Sequence, residues 1–226
     1  MPSLVAPFLA IMIILIMIGP VAAGEASLSR ISNLLGQRWP DNRTVNIVAH
    51  GHSVPAGYFI TQTVRSFDAY PSLLHRRLSE RFPFAVINVI VTAIGGENSE
   101  QGAARFADVL RHRPDVVLID YGLNDRGIGL ERARAAWLSM IRSARSANAE
   151  VIVLTPTPDL NAGPSDSLQQ HADQIRTLAR ELDVLLIDSR AIFSQSGEET
   201  ALMAQANHPN RRGHELIAGA LAHLFQ

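Results

Sequence analysis

"DVVLIDY", residues 115–121, carries four branched apolar residues in succession between two aspartates. A strand with one wet face alternates apolar and polar side chains, so an unbroken run marks a strand buried on both faces. "TVNIVAH" (44–50), "FAVINVIV" (84–91), "EVIVLT" (150–155) and "VLLIDS" (184–189) read the same way. Strands covered on both sides need helices, and the intervening stretches supply them. Tyr70–Phe82, Glu100–Arg111, Leu130–Ala147 and Ser167–Leu182 place Leu, Ala or Ile at helical spacing with Arg and Glu opposite, and Arg212–Phe225 closes the chain. This alternation predicts a single α/β domain of three layers, α/β/α, around a five-stranded, mostly parallel sheet. Right-handed crossovers gather the carboxyl ends of the strands along one rim, where ligands of such folds sit.

The length of 226 residues suits one such domain, and a chain that is 47% apolar has material for its core. Net charge is −1 with no basic stripe or acidic block, which argues against nucleic acid or an anionic membrane as partner. All 20 cationic residues are arginine. Without lysine there is no Schiff base, no P-loop lysine and no Ser–Lys dyad. Without cysteine, disulfides, thiol nucleophiles and thiolate metal sites are excluded together. The uncharged run "LVAPFLAIMIILIMIGPVAA", residues 4–23, ends in small residues. It reads as part of a cleaved signal peptide over 1–24, which makes the protein secreted or periplasmic, or as a retained N-terminal membrane anchor. Only the second reading gives the protein a membrane partner. Residues 25–42 read as a loose polar leader, and the working domain as 43–226.

The loops after the strands hold the polar residues. "HGHSVPAG" follows the first run, "AIGGENSEQG" the second, "GLNDRG" the third and "PTPDLNAG" the fourth, while "NHPNRRGH" precedes the last helix. Each has a bland reading. Ser53 suits a turn hydroxyl, Gly95 and Gly96 serve backbone geometry, Asn124 caps a turn, and His208 is a capping or surface histidine. No G-x-S-x-G elbow is present. Taken together, however, a hydroxyl, exposed N–H groups, an amide and an imidazole project toward one rim. Those are the parts that acyl transfer requires.

On these blocks the sequence resembles the SGNH hydrolase family, also called GDSL hydrolases, whose fold is flavodoxin-like. "GHSVPAG" matches its serine block, "IGGENSEQGAAR" its glycine block, "GLND" its asparagine block and "HPNRRGH" its histidine block, over residues 45–223. The resemblance implies that Ser53 attacks an ester carbonyl while His208 takes its proton. It also implies an oxyanion hole built from the N–H groups of Ser53 and Gly96 and the amide of Asn124.

Two positions depart from the family pattern. His52 stands where the family has the aspartate of "GDS", and Gln205 stands where it has the acid three residues before the histidine. A carboxylate there would fix the histidine tautomer and stabilise the imidazolium; a glutamine can do only the first. Three repairs are open: Gln205 itself, a main-chain carbonyl, or Glu198 or Glu199 folding in. His50, His52, His208 and His214 invite a metal reading, but no carboxylate stands at metal spacing, so neither metal nor other cofactor is expected. The expected activity is that of a serine ester hydrolase on small acyl esters, either acetylated carbohydrate or short-chain lipid and aryl esters. "GYFITQTV" (57–64) and "PDLNAG" (158–163) are its expected lining. The alternatives are a thioesterase or lysophospholipase, and a non-catalytic glycan-binding module of the same fold.

Overall fold

The computed structural model describes residues 23–163 and 165–226, so all but the last two residues of the expected signal peptide or anchor over residues 1–24 lie outside the described residues. The chain begins with α1 (Ala23–Leu35), β1 (Thr44–Gly51), the one-turn α2 (Ser53–Ala56) and a small hairpin of β2 (Tyr58–Ile60) and β3 (Thr63–Val64). Then follow α3 (Tyr70–Arg81), β4 (Val86–Val91), α4 (Ser99–Ala104), α5 (Phe106–Arg111), β5 (Val116–Asp120), α6 (Leu130–Ser146) and β6 (Glu150–Leu154). The last part holds α7 (Leu168–Leu182), β7 (Leu185–Ile187), α8 (Ser189–Ser196), a second hairpin of β8 (Met203–Gln205) and β9 (His208–Pro209), and α9 (Arg211–His223).

The five apolar runs form one sheet in the order β4-β1-β5-β6-β7, parallel throughout rather than mostly so. Leaving β1, the chain goes first to the edge at β4 and then returns to β5 on the other side. Strand order therefore reverses at β1, and the crevice at such a reversal is where an open α/β sheet binds its ligand. Side chains alternate between two cores. Ile47, Ala49, Val116, Leu118, Ile152 and Leu154 meet α1, α3, α8 and α9, whereas Val48, Val117, Ile119, Val151 and Val153 meet α5, α6 and α7. This double burial is why the strands read as continuous apolar runs.

Three expectations need correction. The 25–42 stretch is not loose, because all of it up to Leu35 belongs to α1. Leu28, Ile31 and Leu35 recur at spacings of three and four and are 3%, 0% and 0% exposed against the sheet. Burying such side chains contributes roughly 1.5–3 kcal/mol each, so the folded domain starts before residue 43. Arg30 adds a 2.8 Å ion pair to Glu150 at the start of β6. The expected helix over 100–111 is broken at Arg105, whose guanidinium turns inward to Glu97 and Tyr121. Finally, α8 and the two hairpins are too short for any hydrophobic period to announce them.

Candidate active site

The site begins with the close approach of two strand ends. A Cβ on Gly51 would lie 2.3 Å from the Asp120 carbonyl oxygen, so only glycine lets β1 end this near β5. The next N–H, that of His52, donates to the same carbonyl at 3.2 Å. The chain then turns into α2 with Ser53 as its first residue. His52 Nδ1 accepts the Val54 N–H at 3.2 Å and caps the turn, and Gly57 ends it in the left-handed region at φ 91°. Ser53 is left at the rim, 7% exposed.

The β8–β9 hairpin delivers the imidazole. Asn210 caps α9 by accepting the Gly213 N–H at 3.2 Å, which fixes where the hairpin meets the helix. His208, on β9, thereby comes from 155 residues along the chain to place Nε2 2.9 Å from Ser53 Oγ. Gly96, at φ 83°, adopts a conformation that L side chains rarely take. The Asn124 amide donates to the Glu97 carbonyl at 2.9 Å, which seats it beside the glycine turn and leaves its second N–H. Glu97 is in turn held by Arg105, whose Nε lies 2.9 Å from the carboxylate. Asp125, fully buried, accepts from the Ser99 N–H and from Trp137 Nε1, both at 2.7 Å, and locks the asparagine loop to α4 and α6. Among the described residues the N–H groups of Ser53 and Gly96 donate to no other group. Ser53, His208, Gly96 and Asn124 thus come from four separate segments onto one rim.

For His208 Nε2 to accept the Ser53 proton the ring must be neutral, with its own proton on Nδ1. Burial and the neighbouring His52 hold its pKa below the ordinary 6.5, against an upward pull from Asp159. A lowered value keeps the ring neutral further into acid. The acidic limb of kcat/KM is therefore expected to have its midpoint below 6.5, measured with a substrate that does not titrate there. His50 and His214 are pushed by burial to about 4 and about 3, so neither contributes a limb near neutrality.

Comparison with known proteins decides the family. The model of the GDSL-like Lipase/Acylhydrolase family matches residues 49–216. The chain belongs to this family. Its fold is also that of an acetylxylan esterase from Geobacillus stearothermophilus, with TM-score 0.70 and 20% identity over 80% of this chain and 94% of that one. A two-domain esterase active on acetylated mannans aligns with TM-score 0.71 and 21% identity, over 88% of this chain and 52% of that one. Among curated proteins nothing matches. The catalytic mutants solved for the acetylxylan esterase replace a serine, a histidine and an aspartate three residues before that histidine.

This family member holds no carboxylate at the corresponding place, and none of the three expected orienters reaches the ring. Gln205 is turned toward the first hairpin, where its Oε1 accepts the Thr61 N–H at 2.7 Å and its Nε2 donates to Thr61 Oγ1 at 3.0 Å. Glu198 pairs with Arg212 at 2.9 Å and Glu199 with Arg190 at 3.5 Å. Among the described residues His208 Nδ1 is buried with no hydrogen-bond partner, a main-chain carbonyl included. The short reach of a residue on a two-stranded hairpin explains the miss: Gln205 pairs in register with His208, so its side chain is committed to the neighbouring hairpin.

Three neighbours of the site carried no motif signal. Tyr58, from the expected apolar lining, has its ring centroid 6.1 Å from that of His208. Asp159, from the expected polar lining, forms a 2.9 Å ion pair with Arg126, and the next residue, Leu160, donates its N–H to the Ala206 carbonyl at 2.8 Å. Asp120 at the end of β5 lies beside His52. The histidines diverge: His50 bonds to Thr92 Oγ1, to the Gly102 carbonyl and to Tyr121, while His214 accepts the Tyr70 N–H. Among the described residues no three His, Cys, Asp or Glu side chains are placed to share a metal ion.

Proposed function

We propose that this protein hydrolyses small acyl esters through an acyl-enzyme on Ser53, with O-acetyl groups on carbohydrate as the substrate class. The observation that carries the reading is the 2.9 Å contact between Ser53 Oγ and His208 Nε2, with the Asn124 amide seated at the glycine turn of the same rim. Ser53 Oγ bonds to the acyl carbon as its proton passes to Nε2. The carbonyl electron pair moves onto oxygen, facing the N–H groups of Ser53 and Gly96 and the free N–H of Asn124. Collapse breaks the bond to the alcohol, which leaves with the proton from His208. Water then repeats the sequence on the acyl-enzyme, with His208 taking its proton.

The acetyl-carbohydrate reading draws support from the two esterases of the same fold. A tyrosine ring beside the imidazole gives a flat face with a polar tip, suited to a sugar. We further propose export, supported by the apolar run of residues 4–23. The unpartnered Nδ1 favours one second reading, a glycan-binding module without turnover. Acetate release from acetylated xylo- and manno-oligosaccharides separates the two. Release that stops in Ser53→Ala supports hydrolysis, whereas oligosaccharide binding with no release by the wild type supports the module. Against p-nitrophenyl esters, kcat/KM is expected to fall from acetate to octanoate; a preference for octanoate overturns the acetyl reading. Asn124→Ala is expected to lower kcat by about 10²–10³ with little change in KM, as for loss of one oxyanion donor.

A further inference from the structure

The carboxylate that does not reach His208 Nδ1 has a counterpart beside His52, the residue before the nucleophile. His52 is 0% exposed, and its Nδ1 lies 3.4 Å from Ser53 Oγ. Its other nitrogen, Nε2, lies 3.4 Å from Asp120 Oδ1, at ion-pair distance but too far off line for a hydrogen bond. Asp120 is itself buried, 3% exposed, and its second oxygen accepts the Tyr70 hydroxyl at 3.3 Å. The tautomer follows from the backbone. Val54 donates its N–H to Nδ1, so Nδ1 carries the lone pair and the proton of the neutral ring sits on Nε2, the nitrogen nearer Asp120 though not aligned with it. Acid, imidazole and serine hydroxyl therefore follow one another in the order that a catalytic triad needs. Two imidazoles converge on one hydroxyl: His208 is nearer, but among the described residues no carboxylate bonds its Nδ1, while His52 is farther and has one 3.4 Å from its Nε2.

We propose that His52, backed by Asp120, is a second imidazole acting on Ser53. The inference rests on the ester-hydrolase reading. In the intact site the one hydroxyl proton goes to His208 at 2.9 Å, and His52 Nδ1 offers it a second, longer acceptor at 3.4 Å. When His208 is removed, Ser53 Oγ bonds to the acyl carbon while its proton moves to His52 Nδ1. The carbonyl electron pair moves to oxygen, and collapse expels the leaving group. The new imidazolium directs its Nε2–H at the Asp120 carboxylate. Taking this proton costs the cap contact to Val54, in keeping with a secondary role. An activated ester such as p-nitrophenyl acetate suits the test, because p-nitrophenolate leaves as the anion and needs no proton.

The experiment measures single-turnover acetylation of Ser53 by p-nitrophenyl acetate, followed by mass spectrometry. It compares wild type, His208→Ala, His208→Ala/His52→Asn and His208→Ala/Asp120→Asn, with Ser53→Ala as blank. Asparagine at 52 keeps an acceptor for the Val54 N–H but cannot take a proton. His208→Ala is expected to acetylate about tenfold or more faster than its His52→Asn partner, less than the usual ~10²–10⁴-fold of a well-placed general base because the contact is long. Asp120→Asn is expected to slow the same step without raising the ester concentration for half-saturation. Melting temperatures across the set tell lost folding from lost chemistry, and His52→Asn in the wild-type background keeps the comparison available if a double variant unfolds: there the acetylation rate constant is expected to fall several-fold. Equal acetylation in His208→Ala and His208→Ala/His52→Asn, with the wild type active, overturns the role of His52 alone. A wild type that forms no acetyl-enzyme overturns the ester-hydrolase reading and this inference with it.

Discussion

Ser53→Ala is expected to lower turnover of an acetyl ester by about 10⁴-fold or more while the fold survives, since removing a nucleophile leaves only the oxyanion donors and binding. The size of the effect follows from position. Ser53 Oγ has the His208 and His52 rings as its side-chain partners, at 2.9 and 3.4 Å, so the hydroxyl faces bases rather than supporting the turn. Alanine is a good helix former and α2 keeps its cap from His52, so little stability is lost with the hydroxyl. Matched melting curves beside the collapsed kcat check both halves. A variant that retains a tenth of wild-type turnover is inconsistent with a serine nucleophile.

His208→Ala is expected to cost about 10³-fold or more in steady-state turnover, and Ser53→Ala/His208→Ala to be no slower than Ser53→Ala alone. Residues that act as one unit are not additive, because the second loss finds nothing left to remove. His208 is needed twice, once to take the serine proton and once to activate the water that clears the acyl-enzyme. Its loss therefore weighs most on deacylation, and an activated ester should give a burst of product followed by a stall. A steady rate without a burst, close to that of the wild type, contradicts the assignment of His208.

How far the sequence could be read depends on the range of the interactions involved. The five strands are local facts: Val116, Val117, Leu118 and Ile119 are buried on alternating faces, and no distant residue is needed to see it. The meeting of Ser53 and His208 was legible for a different reason, since Ser53 follows a strand and His208 precedes the last helix, ends that a parallel fold brings to one rim. α1 was missed because its stripe is only Leu28, Ile31 and Leu35 in a polar stretch, and what stabilises it is the sheet rather than its own period. The orienting groups failed most plainly. Chain proximity pointed to Gln205, Glu198 and Glu199, but their side chains are committed to Thr61, Arg212 and Arg190. Asp120 was the reverse case: it lay inside the quoted run 115–121 and carried no reading of its own. Only the strand pairing, which sets Gly51 against Asp120, brings its carboxylate beside His52.

The central claim is that one hydroxyl near the start of the folded chain carries the acyl group while an imidazole from its far end moves the proton. Treating the enzyme with a serine-directed phosphonate and locating the adduct by peptide mass spectrometry tests it most directly. A single adduct on Ser53, formed in step with loss of turnover and absent from Ser53→Ala, is the expected result. An adduct on another residue, or turnover that persists after Ser53 is fully modified, contradicts it.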